Sequence, residues 1–473
     1  MENYSKLKLF TSINWNTIIV ISKISTNIAL LIILSRFLTP REFGISQFTI
    51  IIFNLVAVNV SNSIGLSLIK TSNENNENFY GNLFYFSLIL IGLSYFLVGL
   101  FFYYSKPDLW FTNLHILLLL AFIFRAFSFY EEYYLMKNHL YKKLAICELL
   151  ALIVSTTLTI ILAILNFSYW SIILGTCIYH LLKSIFLLLG ANYIHLKLNF
   201  KIRLMDIKSS LSFLFGSLSN NIFNQIDKVL ITYFFSLSNF GYYARASQIS
   251  NLPASTIGQS IDTVLLKVFS ENKGKFSDEI KLIEYFIALS NLFILPLAIF
   301  IYFHAEKIIL LILGPNWLAV SIILKIFAPL SYLSNIVKIY EPIIKSSDNI
   351  NLRTYIFIIF SIFIFLSFQY FQKYGFEFIC YIYFFNYLLF FLVYSIIICQ
   401  TINFKIIKFI KFFLANISVS ILILIFNYFI IDFKFLNIIL INLFIYLIIF
   451  IFRKYFLNNK FNEKSLQLIR LLL

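Results

Sequence analysis

Long apolar runs alternate with short polar connectors along almost the whole 473-residue chain. A helix needs about 20 mostly apolar residues to cross a bilayer core. Runs near 13–35, 45–69, 80–103, 113–136, 144–166 and 169–190 meet that length, as do runs near 209–235, 245–266, 282–303, 318–341, 353–371, 376–400, 408–431 and 434–452. The pattern therefore predicts an all-α polytopic membrane protein with about fourteen spanning helices, whose ends shift with tilt. Every connector is short, so no separate extramembrane domain is expected.

Sliding the chain against itself by 197 residues matches Asn27 with Asn224, Phe43 with Phe240, Gly44 with Gly241 and Asn54 with Asn251, without a gap. Ser63, Ile64, Leu68 and Lys70 then meet Ser260, Ile261, Leu265 and Lys267. The first helical pair thus aligns with the seventh and eighth helices, six helices later and in the same orientation. Two pseudo-symmetric six-helix lobes are expected, 1–205 and 206–402, with a cleft between them and two extra helices with a tail in 403–473. Chance similarity between apolar helical pairs is the competing explanation.

The repeat-related helices share another feature. Asn220, Asn224 and Asp227 are spaced to fall on one helical face, followed at once by Lys228. Asn16, Lys23 and Asn27 repeat the stripe on the first helix, Asn54, Ser61 and Gly65 on the second, and Asn251, Ser255, Gly258 and Asp262 on the eighth. A charge facing lipid at mid-bilayer costs about 2.5–3.5 kcal/mol on the lenient scale, so a wet cavity is the better home for these stripes. The bland alternative is that Asn and Ser join helices together. That explanation is weaker for Lys23 and Arg125, which stand near the middle of their spans; Glu132, seven residues past Arg125, is a candidate partner on the same face. Lys23, Asn27, Arg125, Asn220, Asn224, Asp227, Lys228, Asn251 and Asp262 are the candidate cavity residues, with Asp227 tempering the field of its basic neighbours.

Composition then adds orientation and sign. The chain is 60% hydrophobic and 12% charged, with a mean hydropathy of +0.88, too apolar for a water-soluble core. Twenty-four of the 37 Lys and Arg residues fall in segments on the N-terminal side of the membrane, and seven, Arg245 among them, on the other. Both termini are therefore expected in the cytoplasm. The net charge of +16 is mostly topology and calls for no nucleic-acid partner. Within spans the surplus is cationic (Lys23, Arg125, Lys183, Lys228, Lys325, Lys338, against Asp227 and Asp262 as the clearest acids), with Lys183 and Lys338 expected to snorkel. Such a cavity suits a phosphate-bearing cargo. The first apolar run leads into the next without a cleavage site, so no cleaved signal peptide is expected. The four cysteines lie singly and the five histidines are scattered, so no metal, disulfide framework or cofactor is called for. A phosphate-cradling loop ending in GK[ST] is missing, which argues against ATP hydrolysis.

Three stretches carry a resemblance. SRFLTPREFG (35–44), IDKVLITYFFSLSNFGYYARASQISNLP (226–253) and LGPNW (313–317) are similar to segments of Wzx-type polysaccharide exporters, in the lipopolysaccharide-biosynthesis branch that includes the colanic acid exporter. That branch sits in the superfamily of multidrug, oligosaccharidyl-lipid and polysaccharide exporters. The resemblance spans most of residues 1–400 in helix order; beyond that the match is hydropathy alone. It implies a MATE-like pair of lobes and a non-enzymatic flippase of the bacterial inner membrane. The implied cargo is an undecaprenyl-diphosphate-linked oligosaccharide repeat unit, moved by alternating access of a cationic central cavity for O-antigen, capsule or exopolysaccharide assembly. Membrane lipid surrounds it, a glycan polymerase and a chain-length regulator are its expected partners, and it is expected to act as a monomer. Two rivals stay open: a multidrug exporter of the same fold, which would favour an acidic cleft, and an integral-membrane glycan polymerase, which would want a larger outer loop.

Overall fold

A computed structural model describes residues 2–55, 86, 88–93, 95–96, 99–100, 124–125, 131–133, 135–136, 140–190, 204–271, 276–346 and 350–401. Ten α-helices are described from end to end, and no strand lies among the described residues. They are α1 (Glu2–Phe37), α2 (Pro40–Phe53), α3 (Tyr141–Ile164), α4 (Trp170–Gly190), α5 (Leu204–Phe234), α6 (Leu237–Glu271), α7 (Phe276–Ile312), α8 (Val320–Ser346), α9 (Ile350–Phe371) and α10 (Phe376–Thr401). Seven stretches are long and apolar enough to span: Thr17–Phe37, Tyr141–Ile164, Trp170–Leu189, Phe293–Ile312, Val320–Lys345, Leu352–Tyr374 and Phe376–Thr401. The chain is a multi-pass membrane protein. The expected spans at 408–431 and 434–452 lie outside the described residues. Helices α5 and α6, the seventh and eighth of the sequence pattern, have 31 and 35 residues, ample length to cross, but carry the polar stripes that dilute their hydropathy.

Contacts divide the chain into two compact units, Met1–Gly241 and Tyr242–Leu473. In the first unit, α3 runs along both α1 and α4, and α2 touches α4 and α5. Close approach of α3 and α4 is possible because Gly175 has no side chain: a Cβ there would collide with the Thr159 hydroxyl. In the second unit, α7 lies along α8, which packs on α10, with α9 beside it. Burial alone does not drive association in lipid, so hydrogen bonds between helices matter. Asn335 donates to the Ser290 hydroxyl at 2.7 Å, the Tyr332 hydroxyl bonds Asn291, and Asn386 donates to the Ser367 hydroxyl at 2.6 Å. Pro253, Pro296, Pro329 and Pro342 interrupt the hydrogen-bond ladders of α6, α7 and α8.

Helices α2 and α6, which the 197-residue shift aligns, begin alike. Thr39 caps α2: its hydroxyl accepts from the Glu42 amide at 3.4 Å, and Glu42 returns a bond to the Thr39 amide at 2.8 Å, with Pro40 in the first turn. At the positions 197 residues on, the Ser236 hydroxyl accepts from the Asn239 amide at 3.2 Å. Between the caps the two copies meet. A Cβ added to Gly44 would strike the Leu237 carbonyl, and one added to Gly241 would strike the Pro40 carbonyl. Pro40 and Leu237 are themselves repeat partners, so the contact is reciprocal in the manner of a two-fold interface.

Glu42 does one thing more. Its other carboxylate oxygen accepts from the Ser168 hydroxyl in the α3–α4 turn, where Asn166 and Ser168 have positive φ of 61° and 53°. Partial burial pushes this carboxyl up, but the Ser168 hydroxyl and the Thr39 amide and hydroxyl outweigh it, so it sits below the usual 4.5. A lowered carboxyl stabilises the fold above the unfolded value and loses that contribution as pH falls through the folded one. Thermal unfolding of Glu42→Gln is therefore expected to fall below wild type at pH 7, with the gap closing in acid. A gap independent of pH would assign Glu42 a packing role alone.

Candidate functional site

Charge buried in a membrane protein needs a partner, and the first unit assembles five such side chains. Lys23 lies six residues into the Thr17–Phe37 span, Glu148 seven residues into Tyr141–Ile164, and Lys183 six residues before the end of Trp170–Leu189. At about 1.5 Å per residue all three sit roughly 10 Å from a span end, at one level. The packing of α3 on both α1 and α4 brings them together. Glu148 Oε1 accepts from Lys23 Nζ at 2.5 Å, from the Tyr179 hydroxyl at 2.9 Å and from Lys183 Nζ at 3.4 Å. Lys183 reaches on to Glu132 Oε2 at 3.0 Å, which also takes Arg125 Nη1 at 2.7 Å. Three cations thus face two carboxylates.

Exposure is unequal across this network. The Lys183 and Glu148 side chains are each 3% exposed, whereas that of Lys23 is 44% exposed. Lys23 is the accessible edge of an otherwise buried cluster. Behind it, His180 is buried with its ring 4.9 Å from that of Phe53 and 5.0 Å from that of Tyr179.

Of the candidates read from sequence, Lys23 and Arg125 belong to this cluster, and Glu132 is the Arg125 partner that the seven-residue spacing indicated. Lys183 was expected to snorkel, and it does not: Glu132 and Glu148 supply its counter-charge inside, so its stem need not reach the interface. Glu148, the centre of the network, was missed. An acid inside the apolar run 144–166 was the available signal, masked by Lys142 and Lys143 close by.

The α5 stripe divides. Asn224 is exposed and donates to half-buried Asn220 at 3.3 Å, while Asp227 is buried and Lys228 donates to Gln225 at 2.9 Å. Asn27 is exposed on α1, in the same unit. In the second unit, Asn251 is exposed on α6 and donates to the Ser247 hydroxyl at 3.3 Å. Asp262 lies on α6, and its side chain is outside the described residues. Among the described residues no group of three His, Cys, Asp or Glu side chains could hold a metal ion.

Two of the resembling stretches meet in the second unit. Gly314, with φ 97°, ends α7, and Pro315 opens a short 3-10 turn that buries Trp317. Arg245, read from sequence as an outer-segment charge, is instead buried, its guanidinium 5.4 Å over the Trp317 ring and its Nη1 donating to Gln248 at 3.0 Å. A planar cation over an indole explains how α6 can bury it. Trp317→Ala is expected to destabilise the protein by about 3–5 kcal/mol, read as a drop in melting temperature in detergent. Arg245→Lys should also lower it, since an ammonium lacks the flat stacking surface. An Arg245→Lys protein as stable as wild type would show that charge alone suffices.

The model of a family described as "Polysaccharide biosynthesis protein" matches residues 33–322, more than half of the chain. No curated protein matches by sequence. Among solved structures, the lipid II flippase MurJ in an inward closed conformation superposes with a TM-score of 0.72 at 18% identity, covering 94% of this chain and all of that one. An inward-facing multidrug resistance MATE family transporter of the MOP superfamily gives 0.59 at 14% identity, over 80% of this chain and 94% of the other. A MOP superfamily transporter from Pyrococcus furiosus, described as having a binding pocket of reverse polarity, gives 0.53 at 15%, over 82% and 95%. These similarities show the fold: all-α and polytopic, like that of MurJ and the MATE transporters.

Proposed function

From a chain that belongs to the polysaccharide biosynthesis protein family and has a MOP-superfamily fold, we infer a flippase for undecaprenyl-diphosphate-linked oligosaccharide repeat units. It is a transporter rather than an enzyme. The observation that carries the reading is the intramembrane cluster of three cations and two carboxylates, whose surplus charge is displayed on exposed Lys23. An anionic diphosphate is the lipid headgroup that such a surface attracts, and an organic cation is repelled by it. Exposed Asn27 and Asn224, in the same unit, supply amide groups suited to sugar hydroxyls.

In this reading the protein sits in the bacterial inner membrane with both termini inside, consistent with the Lys and Arg bias of its connectors. Each negative charge moved outward gains about 2.3 kcal/mol per 100 mV of membrane potential, so a doubly charged diphosphate is driven without ATP. A cationic cavity alternately open to each side accounts for passage, and Asp227 moderates its field so that cargo can leave.

Deleting the gene in its host tests this. The flippase reading expects all surface glycan to vanish, single units included, while unit-length lipid-linked oligosaccharide accumulates inside. Single units still reaching the surface with long chains lost would instead identify a polymerase. Unchanged glycan with new drug sensitivity would identify a multidrug exporter.

A further inference from the structure

Charge counting around Glu148 leads beyond the reading above, on which the following rests. Lys23, Lys183 and Tyr179 all converge on the one oxygen Oε1 of Glu148. If Lys183 or Arg125 left the cluster, a buried carboxylate would be stripped of a buried partner. If Lys23 left, Arg125 and Lys183 would still face Glu132 and Glu148, two charges against two, with nothing buried left uncompensated. Lys23 is also the one member with substantial exposure, at 44%, and its four-carbon stem turns freely. On the same helix the Thr26 hydroxyl bonds back to the Ser22 and Lys23 carbonyls at 2.9 and 3.0 Å, a pattern that slightly destabilises helices in general.

We propose that Glu148 is an exchangeable counter-ion for Lys23. It holds Lys23 while no cargo is bound and yields it to an anion of the phosphate or diphosphate class, retaining Lys183 and the Tyr179 hydroxyl for itself. Glu148 acts here as a positioning residue that sets how readily Lys23 is released. It keeps the empty protein from presenting a bare cation, and it ensures that binding of an anion and movement of the Lys23 side chain occur together.

The test uses the purified full-length chain in detergent, titrated with farnesyl diphosphate as the lipid probe and inorganic diphosphate as the free-anion probe. Binding is read by calorimetry, and each variant's fold is checked by its melting temperature. Glu148→Gln removes the competitor for Lys23. If Lys23 is free about a tenth of the time in wild type, the variant should bind roughly tenfold more tightly, because apparent affinity scales with the competent fraction. Tyr179→Phe takes away one of the groups that satisfy Glu148 after release, so it should bind more weakly. Lys23→Ala should weaken binding, and adding Glu148→Gln to it should restore nothing.

These opposite signs separate exchange from a purely structural network, which would weaken binding in both Glu148→Gln and Tyr179→Phe. If Glu148→Gln does not fold, Tyr179→Phe compared with Lys23→Ala/Tyr179→Phe carries the test: exchange requires the Tyr179 effect to disappear when Lys23 is absent. Glu148→Gln binding no better than wild type, with Lys23→Ala still weaker, overturns the exchange and leaves the flippase reading intact. Wild type binding neither probe overturns both. The expected order of affinities seen with inorganic diphosphate alone supports the exchange and assigns the anion to a soluble source.

Discussion

Glu132→Ala is expected to destabilise the purified protein by about 3–5 kcal/mol, the usual cost of removing one partner from a buried ion pair. Two cations lose their shared acceptor at once: Arg125, bonded at 2.7 Å, and Lys183, at 3.0 Å. Five paired charges would become three cations around Glu148 alone. The loss should be large in melting temperature and should depend little on salt, since buried pairs are screened poorly. The double variant Arg125→Met/Glu132→Leu restores one-to-one pairing between Lys183 and Glu148 behind Lys23, and apolar replacement of a buried pair is often neutral or better. It should therefore recover most of the lost stability. Loss of stability in the single variant with no recovery in the double would show that Arg125 is held for another interaction it makes. A stable Glu132→Ala protein would mean that water reaches the cluster and compensates it.

The second large effect falls on the reciprocal glycines. Gly44→Val drives side-chain atoms into the Leu237 carbonyl, and Gly241→Val does the same at the Pro40 carbonyl. Backbone cannot rotate away as a flexible side chain would, so each variant must separate the starts of α2 and α6. Overpacking of a tight core typically costs about 1–3 kcal/mol, and here it also removes the point at which the copies touch. Both variants should reach the membrane and both should fail to restore surface glycan in the deletion host. Because the contact is reciprocal, the two should fail to the same degree. Full restoration by either one would show that this approach is not needed for transport.

Much of this was readable in the order of residues, and the gaps have physical causes. Lys23 and Arg125 stood out because a charge in an apolar run is costly anywhere except beside a partner or water. Glu132 followed from Arg125 because seven residues return a helix to the same face. Glu148 was overlooked, for an acid close to Lys142 and Lys143 reads as part of a charged helix end. What makes it central is the packing of α3 against both α1 and α4, which lies in no single helix. Lys183 erred for the same reason: whether a lysine snorkels depends on whether a neighbouring helix offers an acid, and α3 does. Arg245 was placed in a connector because its helix begins earlier than hydropathy indicates, at Leu237, behind the Ser236 cap. Self-comparison matched Gly44 with Gly241; that each lies against the residue beside the other helix's start is a fact of packing.

That contact also imposes an order of events during synthesis. Gly44 and its carbonyl partner on Leu237 are separated by nearly 200 residues of chain. At about 5–20 residues per second, α2 emerges from the ribosome roughly 10–40 s before the segment it must meet. Early in that interval the start of α2 relies on its Thr39 and Glu42 cap, and once the α3–α4 turn is made it also has the Ser168 hydroxyl. The Glu42–Ser168 bond joins parts of the chain that are made well before Leu237. It can hold the start of α2 in place until Leu237 is made.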